Sequence, residues 1–248
     1  MNPFSLLLQK DAIQAMNELG KRPGFVLGKN NHHLLSEREK YTSRVFRIQS
    51  ALVSTSEQLL HIKIYLNRYP FRKYYFEKGI SQLDYIQYHT ETLFHKVHTV
   101  LEIMKLLLNE VCQLEIPPKD CSWIALLKKM KKTDPSMECL DRYFNAFQHL
   151  IELRHRNTHR GYYEDNDKER IDVNYGLMLY KEEINGYEID REIKKKLPIE
   201  MINHLLKKHK ETRVKLVEKV IVENEKQLTA FLATLHQPYL KQLTIFDS

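Results

Sequence analysis

Eight consecutive residues, Arg154-His155-Arg156-Asn157-Thr158-His159-Arg160-Gly161, gather guanidinium, imidazole and amide groups at helical spacing. A guanidinium is a rigid fork of donors that fits a phosphate, and an imidazole titrates near neutral pH, so the pair supplies charge stabilisation and proton transfer without a metal or other cofactor. RNA cleavage needs those two tasks. The 2′-hydroxyl attacks the adjacent phosphorus, a base takes its proton, donors hold the extra charge on the phosphorane, and an acid protonates the departing 5′-oxygen. On this reading His159 is the base or acid and Arg154 clamps the phosphate. Asn157 or His155 orients the substrate or its partner side chain, with Arg156 and Arg160 in support. The competing reading is that Arg154 snorkels from a helix end while His159 and Arg160 neutralise the negative end of the helix dipole. Position weighs against it. Leu140, Tyr143, Phe144, Phe147, Leu150 and Ile151 recur at steps of three and four, and Arg154 falls next on that face, where an unpaired buried cation is costly.

A second set of chemistry-bearing residues lies upstream. Glu91, His95, His98 and Glu102 follow one another at steps of four, three and four, a spacing that helical bundles use for carboxylate and histidine metal sites. The same stripe could instead line the groove facing the Arg154 cluster, where Glu91 or His95 assists RNA binding.

Positioning these groups requires long helices. Tyr41, Val45, Ile48, Leu52, Thr55, Leu59, Ile62 and Leu66 form an unbroken heptad seam, and Ser36 with Glu39 has the form of a capping box at its start. Proline 70 should end this helix. A second register, Leu83, Ile86, Thr90, Leu93, Val97, Val100, Met104, Leu107 and Val111, carries Phe94, Leu101 and Leu108 on its flank, a stripe wide enough to face several neighbours. Pro117-Pro118 is expected to stop it. The two should fold back as an antiparallel hairpin. Trp123–Met130 reads as a short helix, Asp134 or Ser136 caps the helix that carries the cluster, and Gly161 should close it. From Ile199 a last long helix shows Val214, Val217, Ile221, Leu228, Phe231 and Leu235 in register, with Asn224 as a polar interruption. In between, Ile171, Val173, Tyr175, Leu177 and Leu179 alternate at a period of two and Asn185-Gly186 offers a turn, so a small β-hairpin insertion is expected around 170–190. The predicted fold is therefore all-α, a four-helix-type bundle with a long antiparallel hairpin. Residues 1–35 are an extension with a short helix over 4–19, and 36–248 are the bundle domain, with 162–198 inserted.

Composition narrows the partners. Lys and Arg number 39 against 32 Asp and Glu, a formal net charge of +7, which favours a polyanion such as RNA. The basic tracts Lys128–Lys132, Lys194–Lys196 and Lys207–Lys210 could track a backbone, and the aromatic run from Tyr69 to Phe76 could equally cap the hairpin core. Three cysteines without C-x-x-C spacing suggest neither a disulfide framework nor a zinc site, and fit a reducing, cytoplasmic setting. The opening residues are not expected to form a basic leader or signal peptide, and no apolar run of this sequence approaches membrane-spanning length.

Arg154-His155-x-x-x-His159 resembles the R-x4-6-H signature of the HEPN superfamily, whose arginine is commonly followed by Asn, Asp or His. A helical bundle with the signature at the end of a later helix also resembles that superfamily, over roughly residues 36–235. The resemblance implies a metal-independent ribonuclease that dimerises so that two motifs form one composite site. Arg154 and His159 would be catalytic and His155 the intervening polar residue. It also implies a toxin, antiviral or stress-response setting, an antitoxin or other partner protein, and, as the alternative, a module that only binds RNA or nucleotides. Arg156-Asn157 is a second, compressed Arg-Asn pair, so by sequence either arginine can fill the role.

Overall fold

The computed structural model describes residues 9–68, 73–160, 165–184 and 186–247, without the side chains of 9–12, 73, 76, 159, 160, 184 and 247. The helices, in chain order, are α1 (Gln9–Leu19), α2 (Glu37–Asn67), α3 (Lys73–Glu77), α4 (Gln82–Val111), α5 (Trp123–Leu127), α6 (Pro135–Arg160), α7 (Asn166–Glu169), α8 (Leu177–Ile184), α9 (Arg191–Lys196) and α10 (Ile199–Asp247). Among the described residues there is no strand, and the fold is all-α. Contacts divide the chain into two compact units. The first comprises Met1–Glu57, His98–Gln148 and Glu223–Ser248, and the second Gln58–Val97 and His149–Val222.

In the first unit, segments of α2, α4, α6 and α10 surround an apolar core. The capping box at the start of α2 is formed: the Ser36 amide donates to Glu39 at 2.7 Å, and the Glu39 amide donates back to Ser36 Oγ at 3.3 Å. One turn on, the fully buried Tyr41 donates its hydroxyl to the Val111 carbonyl at 3.0 Å and stacks on Tyr239 at 5.7 Å between ring centres, tying α2 to both α4 and α10. Arg44 pairs with Glu110 at 2.7 Å, so α2 runs antiparallel to α4 here. Every residue of the α4 register and its flank is buried, in both units. At about 1.5–3 kcal/mol for each fully buried large aliphatic or aromatic side chain, this stripe is a principal source of stability.

α4 stops at Val111, ahead of Pro117-Pro118. The cause is Asn109, whose buried amide donates to the Ile116 carbonyl at 2.8 Å and accepts from the Ile116 amide at 3.1 Å, closing a loop in which Gln113 and Glu115 take positive φ. α5 starts on Ser122, whose hydroxyl accepts from Ala125, and ends at Leu127 rather than Met130. α6 starts beside Asp134, which accepts from the Ser136 amide at 2.9 Å, with Pro135 at its first position. Phe144 departs from the expected α6 stripe. It is exposed, while Leu153 joins Leu150 and Ile151 on the buried side.

The second unit corrects the β-hairpin expected around 170–190. Asp165 caps α7, a π-helical turn spans Arg170–Asn174, and α8 follows Gly176, which sits at φ +74. The period of two misled because Ile171, Tyr175 and Leu179 are also four residues apart. Packing favours the helical alternative: Ile171 and Leu177 join Leu83, Ile202 and Leu206 in one buried cluster, with Tyr175, Tyr180 and Leu205 packed against it. Gly186 does make a turn, at φ +96, but it ends α8, with the Tyr187 amide donating to Glu182 and the Gly186 amide to Glu183.

Asn224, the polar interruption in α10, is buried in the first unit as a hydrogen-bond hub. It accepts from the Tyr143 hydroxyl at 3.0 Å and donates to Ser56 Oγ at 3.1 Å. Burial pushes the Tyr143 pKa well up, which keeps it a donor. Asn224→Leu removes the Asn224 Oδ1 acceptor from that hydroxyl and is expected to cost about 1–3 kcal/mol in urea unfolding. Adding Tyr143→Phe should recover much of the loss. A neutral single variant would show that the network contributes nothing net.

Candidate functional site

The site is built where α6 ends, inside the second unit. Leu150, Ile151 and Leu153 are buried and hold the last turns of the helix against its neighbours. Arg154 follows half-buried, and its Nε is buried with no hydrogen-bond partner. A guanidinium nitrogen removed from water and left unpaired costs free energy, and an arriving oxyanion removes that cost. Arg156, two residues on, is exposed, as are His155 and Thr158, while Asn157 is half-buried. Burial therefore separates the two arginines that sequence spacing left equivalent. The backbone of α6 continues helical through His159 and Arg160, whose side chains, with Gly161, lie outside the described residues.

The upstream stripe contributes to this environment. Burial, the positive field of Arg154 and that of Lys96 hold the His95 imidazole below its ordinary pKa, and Glu91 opposes them. Glu91 is fixed in turn by Gln87, whose amide donates to its carboxylate at 2.6 Å. The structure thus places His95 where both Arg154 and Glu91, one helical turn away on α4, act on its imidazole. As a metal site the stripe fails. Among the described residues its ligand atoms do not converge, and His98 and Lys105 both turn to Glu102, at 3.5 and 2.7 Å.

The described grouping whose ligand atoms do approach one another is Asp165, Asp167 and His209, all within 4.8 Å. Arg213 already serves as its cation. Its guanidinium lies 2.6 Å from Asp165 and 4.0 Å from Asp167, and His209 Nε2 is 4.0 Å from the same Asp165 oxygen. The other Asp165 oxygen accepts from the Lys168 amide at 3.1 Å as the cap of α7. Burial and Arg213 push the His209 pKa down, against the two carboxylates. This ion cluster pins the chain five residues beyond Arg160 to α10. Sequence reasoning missed it because Arg213 and Asp165 are 48 residues apart. The legible signal was Asp165 itself, a capping residue ahead of Lys168.

The basic tracts are mostly solvent-facing, with Lys194 paired to Glu183 and Lys195 to Glu192 at 2.7 Å. Of the aromatic run, residues 69–72 lie outside the described residues. Tyr74 is exposed, with Lys78 Nζ 5.9 Å from its ring centre.

The family described as HEPN_Cthe2314, a Cthe2314-like HEPN, matches residues 45–243. The chain belongs to this HEPN family. Membership gives the HEPN chain a nuclease or RNA-related role in general terms. No curated protein and no solved structure matches it. Among the described residues no helix is long and apolar enough to cross a membrane.

Three histidines of the second unit, His89, His95 and His209, share a lowered pKa whose leading cause is burial. The folded HEPN chain therefore binds fewer protons than the unfolded chain just below the ordinary histidine pKa of about 6.5, so stability should rise with pH up to that value and level off above it. Urea midpoints measured from pH 5 to 8 check this, and His209→Gln should flatten part of the slope. A midpoint that falls as pH rises through this window would contradict the assignment.

Proposed function

We propose that this HEPN chain is a metal-independent endoribonuclease that cleaves RNA to a 2′,3′-cyclic phosphate and a 5′-hydroxyl. The observation that carries this reading is the half-buried guanidinium of Arg154, whose buried Nε has no hydrogen-bond partner. Such a group suits the non-bridging oxygens of a phosphate, whose charge grows as the phosphorane forms. In the proposed reaction the 2′-hydroxyl gives its proton to an imidazole as its oxygen bonds to phosphorus, and the bond from phosphorus to the 5′-oxygen breaks. The departing oxygen takes a proton from a second imidazole. His159 supplies one of these two groups. Two copies of the motif facing each other in a homodimer supply both, which is why the reading includes a composite site. Asn157 and His155 orient the strand, and Arg156 and Arg160 add positive field from the exposed side. The biological setting that goes with this reading is toxin, antiviral or stress-response activity in the cytoplasm, with RNA as substrate and an antitoxin or similar protein as restraint.

Incubation of the purified protein with RNA in EDTA, followed by analysis of the ends, tests the proposal. The wild type should leave 2′,3′-cyclic phosphates in the presence of chelator. Arg154→Ala should lower the rate by about 10²–10³-fold, as for loss of one donor to a developing oxyanion. His159→Ala should lower it by about 10²–10⁴-fold, as for loss of an acid or base. Arg156→Ala should have much the smaller effect of the two arginine variants. No cleavage by the wild type, or undiminished cleavage by both Arg154→Ala and His159→Ala, would overturn the nuclease reading. RNA binding without cleavage would move the chain to the binding-only class.

A further inference from the structure

In the second unit, three tyrosine rings of α2 and α4 are arranged around one imidazole. His89 is 9 % exposed. Tyr65 of α2 stacks on it with ring centres 5.1 Å apart and planes at 30°. Tyr85 and Tyr88 meet it edge-on, at 4.4 and 5.3 Å. His61, one turn before Tyr65, lies 6.4 Å from the Tyr65 ring. Such a cluster would normally be covered, because aromatic rings carry much of the apolar surface that folding buries. Here the outer rings are open: Tyr88 is 67 % and Tyr65 47 % exposed. The molecule thus holds two tyrosine rings in fixed orientation with their surfaces toward solvent and a buried imidazole bracing them from behind. Burial also holds that imidazole below its ordinary pKa, so the brace is uncharged at neutral pH.

The direction of the stripe identifies the occupant. Tyr88, Glu91 and His95 stand at positions i, i+3 and i+7 of α4 and share one face. His95 in turn feels the positive fields of Arg154 and Lys96. Following this face, aromatic surface gives way within seven residues, about 10 Å at 1.5 Å per residue, to positive potential beside the unpartnered Arg154 nitrogen. Stacked bases repeat at about 3.4 Å per strand, so this span is on the order of three nucleotides. Ring faces followed by phosphate-binding charge is the pattern that single-stranded nucleic acid requires, since every base offers a π-face and every linkage a negative charge.

We propose that Tyr88 and Tyr65, braced by His89, form a stacking platform for the bases of single-stranded RNA that flank the phosphate held at Arg154. This rests on the ribonuclease reading for the identity of the phosphate site. The platform positions the strand and takes no part in proton transfer. It selects unpaired RNA, because bases inside a duplex cannot present their faces to the rings. Leu60 and Ile64 are exposed on the same helix as Tyr65, at 47 and 57 %, and make a second protein chain the competing occupant.

Binding is measured apart from cleavage, by fluorescence anisotropy with a single-stranded RNA oligonucleotide carrying 2′-O-methyl groups, which removes the attacking hydroxyl. Tyr88→Ala and Tyr65→Ala should each weaken binding by about 5- to 150-fold, corresponding to 1–3 kcal/mol for one lost stack. Tyr88→Phe keeps the ring and should bind like the wild type, and a duplex of the same sequence should bind more weakly and respond little to the alanine variants. In wild-type protein, irradiation of a 4-thiouridine oligonucleotide should crosslink to the peptides holding Tyr88 or Tyr65, a readout that needs no variant to fold. Wild-type affinity in both alanine variants, crosslinks that avoid both peptides, or no single-strand binding by the wild type would overturn the platform. So would unchanged affinity with a shift in the size-exclusion mass of the alanine variants, which would assign the patch to protein contact. If the wild type binds through these rings yet never cleaves unmodified RNA, the platform stands and the nuclease reading falls.

Discussion

The end of α6 is governed by one constraint: a guanidinium placed as the next residue of an apolar stripe. Leu150, Ile151 and Leu153 bury the turn that carries it, and Arg154 is drawn half out of water with them, leaving its Nε unpaired. Had the stripe ended one turn earlier, Arg154 would be a solvated surface residue like Arg156, worth little to any anion because water would satisfy it equally well. Because it does not, the free energy of desolvating the cation has been spent during folding, and under the proposed function a bound oxyanion would return it. The long α4 stripe makes this tenable, since its complete burial gives the fold enough apolar packing to hold one unsatisfied donor in place.

The helical frame was legible in the sequence because its signal is repeated. Nine positions of the α4 register and three flanking ones all point inward, and a register error of one residue would have exposed most of them. The capping box at Ser36 and Glu39 was legible for a different reason: both partners are local, so the sequence holds the whole interaction. Where the partner is distant, the signal vanished. Asn109 looks like any polar residue near a helix end until Ile116 is seen to close on it. Asn224 looked like an interruption of α10, and its meaning depends on Tyr143 and Ser56, residues on two other helices. The 170–190 segment failed in a third way, since a run of only five alternating positions fits a strand and one face of a helix equally, and burial of Ile171 and Leu177 against α4 and α10 decided it.

The site divides along the same line. The eight-residue cluster stands out in the sequence as a candidate, and the placement of Arg154–Arg160 in the last turns of α6 follows from the apolar stripe before it. The difference between Arg154 and Arg156 could not, because it is a difference of burial between two residues of one type two positions apart. The Asp165, Arg213 and His209 cluster was likewise invisible, although it sits immediately beyond the motif. The Asp165 side chain is almost wholly buried, so the carboxylate is held by Arg213 and the α7 cap rather than by water, and the chain leaving α6 is anchored at a defined point.

His95 shows why the two helices matter to each other electrostatically. Burial and, after it, the positive field of Arg154 hold its imidazole below its ordinary pKa, and Glu91, held by Gln87, works in the opposite sense. A phosphate at Arg154, as proposed, would bring negative charge to the place from which that field comes and so relieve one cause of the depressed pKa, while burial and Glu91 remain. The imidazole then gains affinity for a proton at the moment an anionic ligand arrives, without any conformational change. This coupling runs in both directions: protonating His95 first adds a positive charge next to the anion site and tightens it. Under the proposed reading, a phosphate at Arg154 would make His95 a better proton acceptor than it is in the free chain, and that coupling would rest on the placement of Glu91, His95 and Arg154.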